Sequence, residues 1–332
     1  MTFQRRHLHS IQILTFALLA SSLPYPAFSD DTPITLDTII NAWKAREEKI
    51  QTFDLHWWSR HFESASYFAI HNQPRDQRKE DTTFICRYRL AGDAKGRTRF
   101  EQQGRQWDTK NGRFADQTTI EVFDGQKSTT LASGGIRGYP YAMVFDKFPQ
   151  YVVRDHCALP VIVSFRAVKI PNAGFGNCKN LEFDKQSRLT ARGKGVDTFV
   201  DFEPSMDFLP VRVSETWNGF NDNRAELTEI HYVSNEASGW VPQTWTYTCK
   251  DSAGNLLSSD EAKLLKQSIN EAVDESEFTL DLPVGTLVQP SVFRSDEDMY
   301  LVRAGGRRQI IHRGEFNGEN YQQLLESELK EK

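Results

Sequence analysis

The sequence predicts an α+β fold in which a large antiparallel sheet with one apolar face is covered by an N-terminal helix and a second helical segment. Many segments alternate apolar and polar residues, as strands with one buried face do. Short, turn-rich connections between them favour antiparallel pairing over parallel strands with helical crossovers. Of the 332 residues, 39% are hydrophobic and 26% are charged. This balance supports a buried core and excludes a disordered chain.

Residues 1–29 have the pattern of a signal peptide. Two arginines precede an apolar run over residues 11–20, and Ala27 and Ser29 supply the small side chains of a cleavage site. The run is about half of the ~20 residues that a membrane-spanning helix needs, so we expect no stable membrane span. The predicted location is the periplasm or the cell exterior, after cleavage near Ser29.

The charge balance bears on the class of partner. The chain has 40 basic and 45 acidic side chains, whereas a protein that binds a phosphate backbone has an excess of basic ones. No run of basic residues suggests attraction to anionic lipid headgroups. We therefore expect no nucleic-acid partner.

Four cysteines would meet an oxidising compartment after export, where three full pairings are possible. Cys157 and Cys178 are 21 residues apart and flank one Pro- and Gly-punctuated region, so loop closure is easiest between them. Cys86 and Cys249 each lie on the apolar side of an alternating run. They are either a second bridge or two buried small side chains.

The first helix is predicted to begin after Thr35, which can cap it. Its apolar positions recur at three- and four-residue spacing through residues 36–50 and include Trp43. From Phe53 the period changes to two, and Trp57 shares a face with Phe53. A strand therefore follows the helix directly.

The remaining strands follow from the same alternation. Residues 84–90 and 97–102 form one predicted hairpin, and residues 118–123 pair with 127–131 across an Asp-Gly turn. Further strands are predicted over residues 198–202, 211–217, 227–233, 241–249 and 277–282, with a weaker one over 262–269.

The apolar face of this sheet needs a cover, and the two candidates are the first helix and the segment over residues 138–166. In that segment Tyr141, Val144, Phe145 and Phe148 fall on one helical face, with Pro140 at the start. Residues 158–165 are the most apolar stretch after the signal peptide, and they interrupt the strand series as a lid or plug would.

The mature chain divides into a main domain and a small extension. The main domain is predicted over residues 30–289. After Pro290 the composition turns charged, and a short strand pair around Gly305 is followed by a helix-like end over residues 321–329. Residues 290–332 are therefore predicted as a C-terminal extension without a second core.

This order of elements resembles the LolA-like family of periplasmic lipoprotein carriers, from about Thr35 to Val288. Residues 121–125 resemble the hairpin before the family's lid, residues 159–163 occupy the place of the lid helix, and residues 278–288 resemble its closing strand and Pro-x-Gly turn. The resemblance implies a curved half-barrel, closed by helices, whose concave apolar face takes up acyl chains. The family's Arg-Pro pair is absent, and the resemblance leaves Arg97 and Arg99 as alternative counterparts of its functional arginine.

No catalytic motif, metal site or cofactor site is predicted. Asp155, His156 and Cys157 are adjacent, but a zinc site usually has two closely spaced ligand pairs and a nucleophilic cysteine needs a positioned base. His56 and His61 are five residues apart on a predicted strand and would point to opposite faces. We therefore expect a protein that is not an enzyme.

The preferred hypothesis is an exported protein that binds a lipid or a lipoprotein acyl chain on the concave face of the sheet. One alternative is a protein-interaction or sensor module of the cell envelope with a filled core, and another is an envelope hydrolase. The candidate ligand-binding residues lie on predicted apolar faces, apart from the arginine that the family resemblance supplies. They are Trp43, Trp57, Phe145, Val161, Val163, Phe165, Trp217, Trp245, Tyr247 and Arg99.

Overall fold

The described part of the chain forms a single sheet of sixteen strands, accompanied by short helical segments. The computed structural model describes residues 35–67, 80–108, 113–145, 157–165, 180–183, 188–193, 195–218, 223–290, 299–312, 314–316 and 318–326. The helices are α1 (Leu36–Lys49), α2 (Leu159–Phe165) and α3 (Tyr321–Glu326).

The strands follow one another along the chain with few helical interruptions. They are β1 (Thr52–Glu63), β2 (Thr82–Asp93), β3 (Thr98–Asp108), β4 (Arg113–Phe123), β5 (Ser128–Gly134), β6 (Tyr141–Phe145), β7 (Asn180–Phe183), β8 (Arg188–Gly193), β9 (Val196–Glu203), β10 (Leu209–Trp217), β11 (Arg224–Asn235), β12 (Gly239–Asp251), β13 (Leu256–Ile269), β14 (Leu287–Pro290), β15 (Met299–Val302) and β16 (Arg308–Ile311).

The sheet is an antiparallel meander that does not close on itself. Its order is β16-β15-β14-β6-β5-β4-β3-β2-β1-β13-β12-β11-β10-β9-β8-β7, so β16 and β7 are the two edges. Among the described strands, β6 and β14 form the one parallel pair. The predicted antiparallel sheet is therefore confirmed. Among the helices of the described ranges, none has the length and the hydropathy that a membrane span requires.

The predicted first helix is confirmed as α1. The side chain of Thr35 accepts a hydrogen bond from the Thr38 backbone N–H, and Thr38 reciprocates in a capping box. Ile39, Ala42 and Trp43 pack against the inner face of the sheet at β8 to β10, where they contact Val200 and its neighbours. This helix covers one end of the sheet.

The helix predicted over residues 138–148 is wrong where the structure describes it, because Tyr141–Phe145 form strand β6. This strand pairs with β5 on one side and with β14 on the other. A short apolar run suits either a helix or a buried strand. Pairing with a strand some 140 residues further along the chain decides the outcome here.

The strand predicted over residues 277–282 is also wrong. The structure has a 3-10 turn at Glu275–Phe278, begun by Asp274, whose side chain accepts a hydrogen bond from the Ser276 N–H at 2.9 Å. The next strand, β14, starts only at Leu287. The segment instead lies across the outside of the sheet, where Leu280 and Leu282 pack against Leu131 and Val288.

The two faces of the sheet are distinct. The inner face carries Trp57 and Trp245 and contacts α2, and the outer face carries Arg89. The C-terminal strands continue the same sheet through β14, and α3 packs there through Tyr321. The strand pair and helix expected in the extension are thus present, while the predicted domain boundary stays a prediction.

Candidate ligand-binding site

The inner face holds a cluster of buried apolar side chains that several distant strands build together. Trp57 of β1, Phe100 of β3 and Trp245 of β12 all belong to it, with the ring centroids of Trp57 and Trp245 6.1 Å apart. Alternation puts these side chains on one face, and the turn-linked meander brings their strands side by side. Because strands on both sides of β1 and β13 reach one cluster, the sheet curves around it.

The helix α2 occupies the concave side of this cluster. Val161, Ile162 and Phe165 are buried in it, and the Phe165 ring lies 5.4 Å from that of Phe53 on β1. Ser164 donates its hydroxyl to the Pro160 carbonyl at 2.6 Å, which satisfies the one polar side chain of the helix internally. The apolar segment predicted to be a lid or plug is thus helical and fills the concave face.

Arg46 of α1 connects α2 to the rest of the fold. Its side chain is 2% exposed, and its Nε donates to the Ser164 carbonyl at 2.7 Å. Its Nη1 and Nη2 donate to the carbonyls of Ser238 and Trp240, next to the β11–β12 turn. One guanidinium therefore joins α1, α2 and the sheet, a role that five donors in a fixed fork suit well.

The structure brings four of the predicted binding residues together, namely Trp57, Val161, Phe165 and Trp245. They pack against one another, so the ligand space predicted between them is filled by α2 in this structure. Val163 is also buried on α2. The inner-face side chains beneath α2, with Trp57 and Trp245 among them, form the floor of this space. A ligand could contact this floor only if α2 moved.

Other predicted binding residues lie elsewhere on the inner face. Trp43 belongs to the separate cluster beneath α1 and donates its indole N–H to the Phe208 carbonyl at 2.7 Å. Tyr247 packs with Cys249 and Leu257, in a third cluster.

Two further candidates lie at other places on the sheet, and one lies on the wrong face. Trp217 is covered by the Arg224 guanidinium, 4.8 Å from the ring centroid. Phe145 ends β6, opposite Ser128. Arg99 points to the outer face and pairs with Glu101 at 2.5 Å, so it does not reach the ligand floor.

The structure describes three of the four cysteines. Cys86, Cys157 and Cys249 are buried, and no two of these three are bonded to each other. Cys178 and His156 lie outside the described residues, so the predicted bridge between Cys157 and Cys178 stays a prediction.

A cavity of about 320 Å³ adjoins the apolar cluster on the side of β2 to β4. Cys86, Tyr88 and Cys157 line it and also belong to the cluster. The Tyr88 ring stacks on Trp57 with 5.1 Å between centroids, so a single ring separates the cavity from the floor. Gln102, Gln106 and Gln117 of β3 and β4 also line the cavity. The volume is at the lower end of the range for small-molecule pockets.

A charged network forms one end of this cavity. His61 Nδ1 lies 2.7 Å from Asp260 Oδ1, and His61 Nε2 lies 2.9 Å from Glu63 Oε1. Ser59 donates its hydroxyl to the same Asp260 oxygen at 2.7 Å. Cys157 Sγ lies 3.4 Å from Ser59 Oγ. The side chains of β1 involved here alternate with Trp58 and Arg60, which face outward.

The electrostatics of this network fix its protonation. Burial opposes the imidazolium, but the charges of Asp260 and Glu63 and their hydrogen bonds raise the pKa of His61 to about 10. Burial also opposes the Asp260 carboxylate, yet the charge on His61 and its hydrogen bond hold the pKa of Asp260 below its usual value. His61 is therefore an imidazolium near neutral pH, with a carboxylate at each nitrogen. It cannot accept a proton from Cys157, as a general base would have to do.

His56 and His61 lie on opposite faces, as the alternation of β1 predicts, since His56 contacts Asp54 on the outer face. The network around His61 is not among the predictions from the sequence. Ser59, His61 and Glu63 follow Trp57 on the same face of β1, and this switch from apolar to polar residues was the available signal. Nothing local to Arg46 revealed its role, because its partners lie 118 to 194 residues away.

Comparison with known proteins leaves the family open. No protein-family model matches the chain, and no curated protein matches it. A domain from Vibrio parahaemolyticus, assigned to outer membrane lipoprotein sorting, is similar in structure with 9% identity and a TM-score of 0.41, over 72% of this chain and 94% of that one. A beta-barrel-like protein of a domain of unknown function from Brucella abortus is similar with 11% identity and a TM-score of 0.29, over 67% of this chain and 99% of that one.

Proposed function

We propose that this protein is an exported carrier of a hydrophobic ligand, a lipid or a lipoprotein acyl chain, which enters the space that α2 fills in this structure. The observation that carries the proposal is the shared wall of Cys86, Tyr88 and Cys157, which lines the cavity and belongs to the apolar cluster. A displacement of α2 would join the cavity to the floor of the sheet. Export rests on the signal-peptide pattern of residues 1–29, which lie outside the described residues.

The free energy lost when α2 is displaced is close to the free energy gained when an acyl chain is buried in its place. Val161, Ile162 and Phe165 would lose their burial, at about 1.5–3 kcal/mol each, or about 5–9 kcal/mol in all. An acyl chain of roughly a dozen methylenes contributes about 10 kcal/mol before ordering costs, at ~0.8 kcal/mol per methylene. Chains of six methylenes contribute about half of this. A carrier of this kind selects for chain length, and it needs no catalytic group.

A second candidate is an envelope interaction module with a permanently filled core. The packing of Trp57 and Trp245 against α2 favours it, because both indoles are almost fully buried. In that case α2 is a fixed part of the core and no ligand replaces it.

Binding of monoacylglycerols with acyl chains of 6 to 16 carbons to the purified protein separates the two candidates. The carrier proposal predicts saturable binding by native mass spectrometry that is absent for the shortest chains and tightens beyond roughly ten carbons. Absence of binding at every length would favour the filled module and overturn the carrier.

A pair of charge substitutions locates the site. Trp245→Glu places a charge on the floor and should abolish binding, whereas Leu265→Glu places the same charge at a residue that is 62% exposed and should leave binding intact. Equal binding by both variants would contradict the assigned floor. Should Trp245→Glu fail to fold, the chain-length series on the natural protein still decides the proposal.

A further inference from the structure

The buried cluster beneath α2 contains two hydrogen-bond donors that have no acceptor among the described residues. These are the indole Nε1 atoms of Trp57 and Trp245, and both are buried. The two residues are 1% and 2% exposed. A buried donor left without a partner destabilises the folded state, so folded proteins rarely keep one, and two in one cluster need an explanation.

Two polar groups in or close to this cluster do have acceptors. Tyr232 donates its hydroxyl to the Pro210 carbonyl at 3.0 Å. Trp43, beneath α1, donates its indole N–H to a backbone carbonyl. Trp217, which lies outside this cluster, also has a buried indole N–H without a partner among the described residues. Within the cluster, the unsatisfied donors are the two indoles on the floor that the ligand would contact.

Resting on the proposed function, we infer that Trp57 and Trp245 donate their indole N–H groups to the carbonyl oxygen of an acyl ester or amide when the ligand replaces α2. A carbonyl oxygen has two lone pairs and can accept both donors. An alkyl chain without a carbonyl fills the same apolar space but leaves the donors unpaired. The pair of tryptophans therefore selects acylated lipids over their alkyl ether analogues.

A matched pair of probes tests this directly. 1-Monopalmitoylglycerol and 1-O-hexadecylglycerol have the same glycerol head and sixteen-carbon chain, but only the first has a carbonyl. The natural protein should bind the ester about thirtyfold more tightly, the difference expected when two buried donors both gain an acceptor at the lower end of the cost of an unsatisfied donor. Equal affinity for ester and ether would overturn the inference and leave the carrier proposal standing. Failure of both probes to bind would overturn the carrier proposal and this inference with it.

Conservative variants assign the effect to these residues. Trp57→Phe and Trp245→Phe remove an N–H but keep an aromatic ring, so each should reduce the ester preference while affinity for the ether changes little. Trp58→Phe, on the adjacent outward-facing position of β1, should leave the preference unchanged. A preference that persists in both floor variants would contradict the assignment.

The natural protein provides a measurement that does not depend on variant folding. With ¹⁵N-labelled tryptophan, two indole N–H proton resonances should move downfield when the ester binds and should not do so when the ether binds. Identical spectra with the two probes would contradict the inference.

Discussion

Replacement of Arg46 by Met should loosen α2 from the sheet. The guanidinium donates to the carbonyls of Ser164, Ser238 and Trp240, and each hydrogen bond from a charged donor contributes about 1.5 kcal/mol at the lower end of its range. The desolvation that the guanidinium suffers, and Met does not, offsets part of this total. A net loss of about 3 kcal/mol remains, which is about a hundredfold in an equilibrium constant.

Hydrogen exchange monitored by mass spectrometry reports on this loosening. The Ile162 amide, bonded to the Ala158 carbonyl at 2.9 Å, should exchange about a hundredfold faster in Arg46→Met under conditions where the sheet core stays protected. Lys49→Met is the matched control, because Lys49 is exposed on the same helix, and it should change nothing in α2. Unchanged exchange at residues 160–165 in Arg46→Met would refute the assignment of Arg46 as the tie between α1, α2 and the sheet.

Three further predictions concern stability. The pKa of His61 is about 10 in the folded protein, against an ordinary value of 6.5, so its stabilising contribution should be complete below about pH 6.5 and be lost as the pH rises to about 10. Urea denaturation of His61→Gln should lack this decline. Parallel pH profiles for the variant and the natural protein would contradict the prediction. Gly104→Ala should lower the free energy of unfolding by about 1–3 kcal/mol, because the added Cβ would lie 2.7 Å from Cys86 Sγ. The same substitution in a Cys86→Ala background should cost less. An equal loss in that background would exclude the clash with Cys86 as the cause. Arg89→Met removes hydrogen bonds to two carboxylates on the outer face. It should lower the free energy of unfolding by about 1–2 kcal/mol in urea denaturation and leave the affinity for monoacylglycerol unchanged. A changed affinity would contradict the separation of the two faces.

The sheet was predictable where alternation and turns are local properties of the sequence. The Asp-Gly turn at residues 124–125 and the alternation of β12 depend on near neighbours only, and both were predicted. The segment after Asp274 alternates Phe278, Leu280 and Leu282 equally well. These side chains bury against the outside of other strands instead of pairing as a strand, and alternation alone cannot distinguish the two.

The site was less predictable than the fold. Alternation placed Trp57 and Trp245 on apolar faces, and the apolar stretch at residues 158–165 indicated a cover. Whether the cover fills the concave face or leaves a space depends on side-chain packing between segments about a hundred residues apart. The same holds for His61, whose partner Asp260 is 199 residues away.

Photo-crosslinking with a monoacylglycerol that carries a diazirine on its acyl chain tests most directly whether the concave face takes up an acyl chain. After irradiation and digestion, label on the peptides of β1 and β12 that contain Trp57 and Trp245, suppressed by an excess of 1-monopalmitoylglycerol, is the predicted result. Label confined to peptides of the outer face, or label that excess ligand does not suppress, would contradict it.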